Sequence, residues 1–154
     1  MFSHNQSCFI CKKHKGSISV PGDVIYEDNF VYVGHVYWEE EETYLGYLMI
    51  DTKRHTPGLA EMSEKEAQAF GLIVNRVSRA LKKCEGAEHI YAFVSGNGVP
   101  HMHLIPRYPN TPQEFWSPTK IATWPGAPLG REKEIEQLCE RIKMYLVNEY
   151  EYNG

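Results

Sequence analysis

Val99-Pro100-His101-Met102-His103-Leu104-Ile105-Pro106-Arg107 is the run of residues that organises this chain. His101 to Ile105 reads as a β-strand, and side chains at i and i+2 of a strand share a face roughly 6.5 to 7 Å apart. Two imidazoles therefore address one site. A neutral imidazole is nucleophilic near pH 7, and a second one beside it donates a proton or steadies developing negative charge, a pairing suited to attack on phosphorus. Two histidines at this spacing also suit adjacent positions around a metal ion, or a half-exposed strand with no chemistry at all. Arg107, just beyond them, favours an anionic ligand. Immediately upstream, His89-Ile90-Tyr91-Ala92-Phe93-Val94 reads as a second strand, joined to the first through the turn Ser95-Gly96-Asn97-Gly98.

Working outward, Ser63 with Glu66 forms a capping-box signature. Ala67, Phe70, Val74, Val77, Leu81 and Cys84 follow at spacings of three and four, which predicts a helix over 63–84 stopped by Gly86. Val24-Ile25-Tyr26 and Phe30 to Val36 predict a hairpin about Glu27-Asp28-Asn29, and a further strand is expected from Tyr44 to Ile50. The acidic run Glu39 to Glu42 between them reads as a solvated loop. Six of the nine prolines lie between Pro106 and Pro128, with Phe115, Trp116 and Trp124 among them, so 109–130 is expected to be an extended, partly apolar loop. Trp116 and Trp124 there suit either stacking on a base or anchoring the loop. A last helix over 131–150 places Ile135, Leu138, Cys139, Ile142 and Leu146 on one stripe. Strands around one helix, with a second helix at the end, give an α+β arrangement with an antiparallel sheet. No Gly-rich loop opens a helix, so neither a dinucleotide fold nor a P-loop is indicated.

The chain has 154 residues, 42% of them apolar and 23% charged, which is ordinary globular usage and fits one domain over 1–154. Sixteen Lys and Arg against twenty Asp and Glu leave a net charge of -4. That balance lacks the broad basic face that extended nucleic acid demands, while a single nucleotide in a local pocket stays compatible. No segment approaches the ~20 apolar residues of a membrane span, and Met1 to Ser7 is polar, so a soluble cytoplasmic protein with no membrane partner is expected. Cys84 and Cys139 fall at apolar helix positions, which argues against a disulfide framework. Cys8-Phe9-Ile10-Cys11 has zinc-ligand spacing, with His14 close behind. A structural zinc, a redox pair or two free thiols all fit it. His55, in Lys53-Arg54-His55, is a candidate further ligand, whereas His4, His35 and His89 carry no motif.

Taken together, Cys8-Phe9-Ile10-Cys11, Val24-Ile25-Tyr26-Glu27-Asp28, Gly46-Tyr47-Leu48-Met49-Ile50 with Lys53-Arg54-His55, and Val99 to Arg107 resemble, in order, the histidine triad (HIT) superfamily of nucleotide hydrolases and transferases. The likeness covers about 8–108, and the tail resembles a subgroup extension. It implies a HIT-like α+β fold with a mostly antiparallel five-stranded sheet, a long helix and a C-terminal helix, usually as a homodimer. The implied reaction passes through a covalent nucleotidyl-histidine on a phosphoanhydride or phosphoramidate. A non-catalytic nucleotide-binding protein of that fold and a metal-dependent hydrolase using His101 and His103 as ligands are the alternatives. The family motif has three histidines and this chain has two. If Leu104-Ile105-Pro106-Arg107 sets the register, Val99 replaces the first, His101 is the nucleophile and His103 its partner. If Val99-Pro100 sets it, His103 is the nucleophile and His101 joins Cys8, Cys11 and His55 in a zinc set like that of the zinc-containing relatives, which include galactose-1-phosphate uridylyltransferase; the resemblance also relates the chain to dinucleoside polyphosphate hydrolases. In either case Asn97, Gly98 and Arg107 are the implied nucleotide contacts.

Overall fold

Alternation along His101–Arg107 divides the molecule in two. In the computed structural model, which describes residues 19–94 and 100–151, this strand lies inside a five-stranded sheet. The strands are β1 (Val24–Glu27), β2 (Val31–His35), β4 (Leu48–Thr52), β5 (His89–Val94) and β6 (His101–Arg107), in the order β1-β2-β4-β6-β5 with every neighbour antiparallel. A two-stranded ribbon pairs β3 (Thr43–Tyr44) with β7 (Leu129–Gly130). The expected α+β architecture, with its antiparallel sheet of five strands, is the one observed.

Two helices cover one face. Helix α1 runs from Glu64 to Glu85 behind the expected capping box, with Ser63 Oγ accepting from the Glu66 N–H and the Glu66 carboxylate returning to the Ser63 N–H. It ends at Gly86, whose φ of 74° belongs to the left-handed region that a helix terminus needs and that glycine enters without a Cβ penalty. Phe70, Ile73, Val77, Ala80 and Leu81 form its buried stripe. The stripe is turned slightly from the expected one: Ala67 is exposed, while Ile73 and Ala80 go in. Helix α2 (Glu132–Leu146) buries the whole expected set of Ile135, Leu138, Cys139, Ile142 and Leu146, then widens into a π turn over Val147–Glu151 rather than continuing as α-helix to 150. With Val31, Val33, Leu48, Ile50 and Leu104 from the sheet these residues make the main core, each large side chain contributing about 1.5–3 kcal/mol.

The expected single strand from Tyr44 to Ile50 is broken. Gly46 has φ 87°, and a Cβ at that position would run into the Tyr108 hydroxyl and Pro106, so the chain turns at Leu45-Gly46. Thr43 and Tyr44 then leave the main sheet to pair with β7. The proline-rich segment is likewise shorter of open loop than expected. It contains a 3-10 turn at Gln113–Phe115 and sends Ile121 into a small second core with Tyr44 and Ile105 on the sheet's other face.

Candidate active site

Cross-strand partners point to the same side of a sheet, so the register fixes the composition of the second face. Tyr32, Asp51 and His101 stand in one row across β2, β4 and β6, and Gly34, Met49, His103 and Phe93 in the next. This is the face left open by the helices. The His101 and His103 rings lie edge to face with centroids 5.1 Å apart, so the structure brings together the two imidazoles singled out in the sequence.

His103 is held on three sides. Its ring stacks flat on Phe93 at 4.6 Å and 4°, and the Tyr47 hydroxyl sits 2.6 Å from Nδ1. The Tyr47 ring in turn meets the edge of Trp38 at 6.3 Å. Burial holds His103 below the usual imidazole range and the neighbouring His101 adds to this, while Asp51 acts in the opposite sense. The net direction keeps His103 neutral near pH 7. Burial pushes the Tyr47 phenol up, so it too stays protonated.

The backbone that carries Tyr47 is itself fixed. Val36 N–H donates to Tyr47 O at 2.9 Å, and Gly46 N–H donates to His35 Nε2 at 2.9 Å. His35 Nδ1 lies 2.6 Å from Val36 O. A carbonyl only accepts, so Nδ1 carries the proton and Nε2 is the acceptor. His35 is thus a neutral buried bolt between the end of β2 and the turn before β4, and burial pushes its pKa down to about 4.

The remaining described candidates, Arg107, His55 and His89, lie apart from the pair. Arg107 shares the face of His103 but lies four residues farther along the strand, roughly 13 Å away. Its guanidinium stacks over Trp116 at 3.8 Å, donates to the Tyr91 hydroxyl at 3.2 Å and stands 3.9 Å from Glu88. Trp116 is thereby an anchor of the proline-rich segment, with Nε1 donating to Thr111 O at 2.9 Å. His55 is half-buried at the exit from β4, next to Arg54, which binds the Glu66 carboxylate at 3.0 Å and Glu61 O at 2.7 Å. Cys8, Cys11, His14, His4, Asn97 and Gly98 lie outside the described residues. Among the described residues, no three His, Cys, Asp or Glu side chains gather to hold a metal ion. His89 is exposed on the edge strand against Tyr91.

Three site residues were not singled out from the sequence: Tyr47, Phe93 and Asp51. Asp51 was the most visible, because a carboxylate closing an apolar strand and fully buried opposite His101 breaks the pattern of that strand. Tyr47 carried no local signal, since its partner is 56 residues away.

No family model and no curated protein matches this sequence. Solved structures do match. A hypothetical histidine triad nucleotide-binding protein from Sulfolobus tokodaii is 18% identical with TM-score 0.70, over 92% of this chain and 93% of its own. A zinc-bound histidine triad family protein from Mycobacterium smegmatis is 16% identical with TM-score 0.67, over 92% and 94%. Diadenosine triphosphate hydrolase from Plasmodium falciparum, solved with cyclomarin A, is 12% identical with TM-score 0.59, over 84% and 79%. The chain therefore has the HIT-like fold. Among the described residues no helix is long and apolar enough to cross a membrane.

Proposed function

We propose that this chain is a nucleotide hydrolase or nucleotidyl transferase of the histidine triad type, with His101 as nucleophile. The observation that carries the reading is the pair of imidazoles 5.1 Å apart on the one sheet face the helices do not cover, with His103 braced by Tyr47 and Phe93. The fold likeness and the order of the sequence motifs support it. In the first step a ring-nitrogen lone pair of His101 forms a bond to the α-phosphorus while the phosphorus–oxygen bond to the leaving group breaks. In the second, water or another acceptor takes the phosphoryl group, and the imidazole leaves with the electron pair of the broken nitrogen–phosphorus bond. His103 stabilises the phosphoryl oxygens, a role the family resemblance also gives to Asn97 and the Gly96 to Gly98 backbone. Arg107, already stacked on Trp116, suits bracing better than ligand contact.

A structural zinc on Cys8, Cys11 and His55, its fourth position left to His14 or water, belongs to this reading, in keeping with the zinc described for the Mycobacterium smegmatis relative of this fold. With His101 as nucleophile the metal takes no part in any step above. Metal analysis of protein purified without added zinc is expected to find about one equivalent per chain. A homodimer belongs to the reading as well, checked by light scattering.

The deciding assay incubates the protein with dinucleoside polyphosphates and nucleoside phosphoramidates beside His101→Ala and His103→Ala. His101→Ala is expected to lose more than about 1,000-fold in turnover, because no other group replaces the nucleophile. Turnover indifferent to both substitutions overturns the assignment. Tight nucleotide binding without product identifies a binding protein instead.

A further inference from the structure

We infer that Tyr47 is a positioning residue that fixes His103 as a neutral Nε2–H donor, and that the site therefore takes phosphoanhydrides in preference to alkyl phosphoramidates. The inference rests on the nucleotidyl-histidine reading above and narrows its substrate class. It begins with the contact between the Tyr47 hydroxyl and His103 Nδ1 at 2.6 Å. A phenol is a better donor than acceptor, and an imidazole nitrogen is the better acceptor of the two. The hydroxyl is therefore the donor, Nδ1 accepts, and the single ring proton of neutral His103 resides on Nε2.

The surroundings hold that state. Among the described residues, the titratable groups facing His103 include Tyr47 from the turn before β4, Asp51 from β4 and His101 from β6 itself, with Phe93 of β5 covering the ring. Burial keeps His103 neutral and Tyr47 protonated. The Tyr47 backbone is held by Val36, just beyond β2, and the adjacent Gly46 by His35 at the end of β2.

Chemistry then separates the leaving groups. A neutral imidazole whose other nitrogen accepts from a phenol cannot release its Nε2 proton without forming an imidazolate or a buried tyrosinate. His103 thus gives a hydrogen bond and keeps its proton. When His101 attacks a phosphoanhydride, the nitrogen–phosphorus bond forms, the bridging phosphorus–oxygen bond breaks, and the leaving phosphate departs as an anion with its electron pair, needing no proton. Hydrolysis of the nucleotidyl-histidine then returns neutral His101, and the proton lost by water goes to solvent. An alkylamine must be protonated before it can leave phosphorus, and this site holds no such proton on His103.

Two measurements on the full chain test this. Nitrogen-15 NMR, with His103 assigned by its loss in His103→Gln, is expected to show the Nε2–H tautomer in the unmodified protein and a tautomer mixture in Tyr47→Phe. The control Phe93→Leu is expected to keep the Nε2–H form, because it removes stacking and leaves the hydroxyl. Kinetically, a dinucleoside polyphosphate is expected to exceed an alkyl phosphoramidate of the same nucleoside by roughly 100-fold or more in kcat/KM, the size of a missing general acid. The anhydride profile should stay flat from pH 7 to about 9, and Tyr47→Phe should lower it roughly 10- to 100-fold. An Nδ1–H tautomer in the unmodified protein, or comparable turnover of the two substrates, overturns the role of Tyr47 while a dependence on His101 leaves the nucleotidyl-histidine reading standing. Turnover indifferent to His101→Ala overturns that reading itself. The NMR result for the unmodified protein decides the tautomer even if Tyr47→Phe does not fold.

Discussion

The two faces of the sheet differ in what they bury and in how they are covered. Toward the helices, β2, β4 and β6 present Val31, Val33, Leu48, Ile50 and Leu104, all aliphatic and nearly inaccessible. Toward the other side the same three strands present Tyr32, Asp51, His101 and His103, and among the described residues Ile121 and the proline-rich segment close one end of that face. Successive residues of one strand thus serve opposite purposes. Aliphatic packing supplies stability that is indifferent to pH, while the second face accepts buried polar groups, costly in themselves, where they meet partners and can act.

The strongest way to break this contrast is Leu104→Ala, one residue from His103. Its cavity is expected to cost about 2–5 kcal/mol in denaturant unfolding. Activity per folded molecule should change far less than for His101→Ala. A comparable loss in both quantities would show that the faces are not separable.

His35 probes the boundary between them. Its folded pKa of about 4 lies below the usual imidazole value, so the unfolded chain binds a proton more readily. The stability it supports is complete above about pH 6.5 and declines as pH falls toward 4, by at most about 1.4 kcal/mol per pH unit. His35→Asn is expected to flatten this part of the unfolding profile. An acid slope that persists unchanged would assign it to other groups.

The smallest effect is expected at the closed end. Arg107→Lys keeps the charge but loses the flat stack on Trp116 and the fork to Tyr91, for about 0.5–1 kcal/mol. Trp116 fluorescence should shift toward that of a more exposed indole. A rise in KM for nucleotide with stability unchanged would instead make Arg107 a ligand contact.

Much of the scaffold was legible because its signals are local. Ser63 and Glu66 bracket three residues and start α1 as read, and the stripe from Ile135 to Leu146 buries in full. The break at Gly46 escaped because it depends on Tyr108 and Pro106, which approach from β6 and its exit. Of the site, His101 and His103 were visible as a pair within three residues, whereas Phe93, Tyr47 and Asp51 join them only through the β5-β6-β4 pairing. Arg107 looked like a free cation in sequence and has Trp116, Tyr91 and Glu88 around it in the fold.

Sequence alone determined that two imidazoles share one side of a strand, since alternation is a property of the extended backbone and needs no partner. Tertiary structure alone decided which group meets His103 Nδ1. That group is a hydroxyl brought from 56 residues away by the order of the strands, and no local pattern encodes such a meeting.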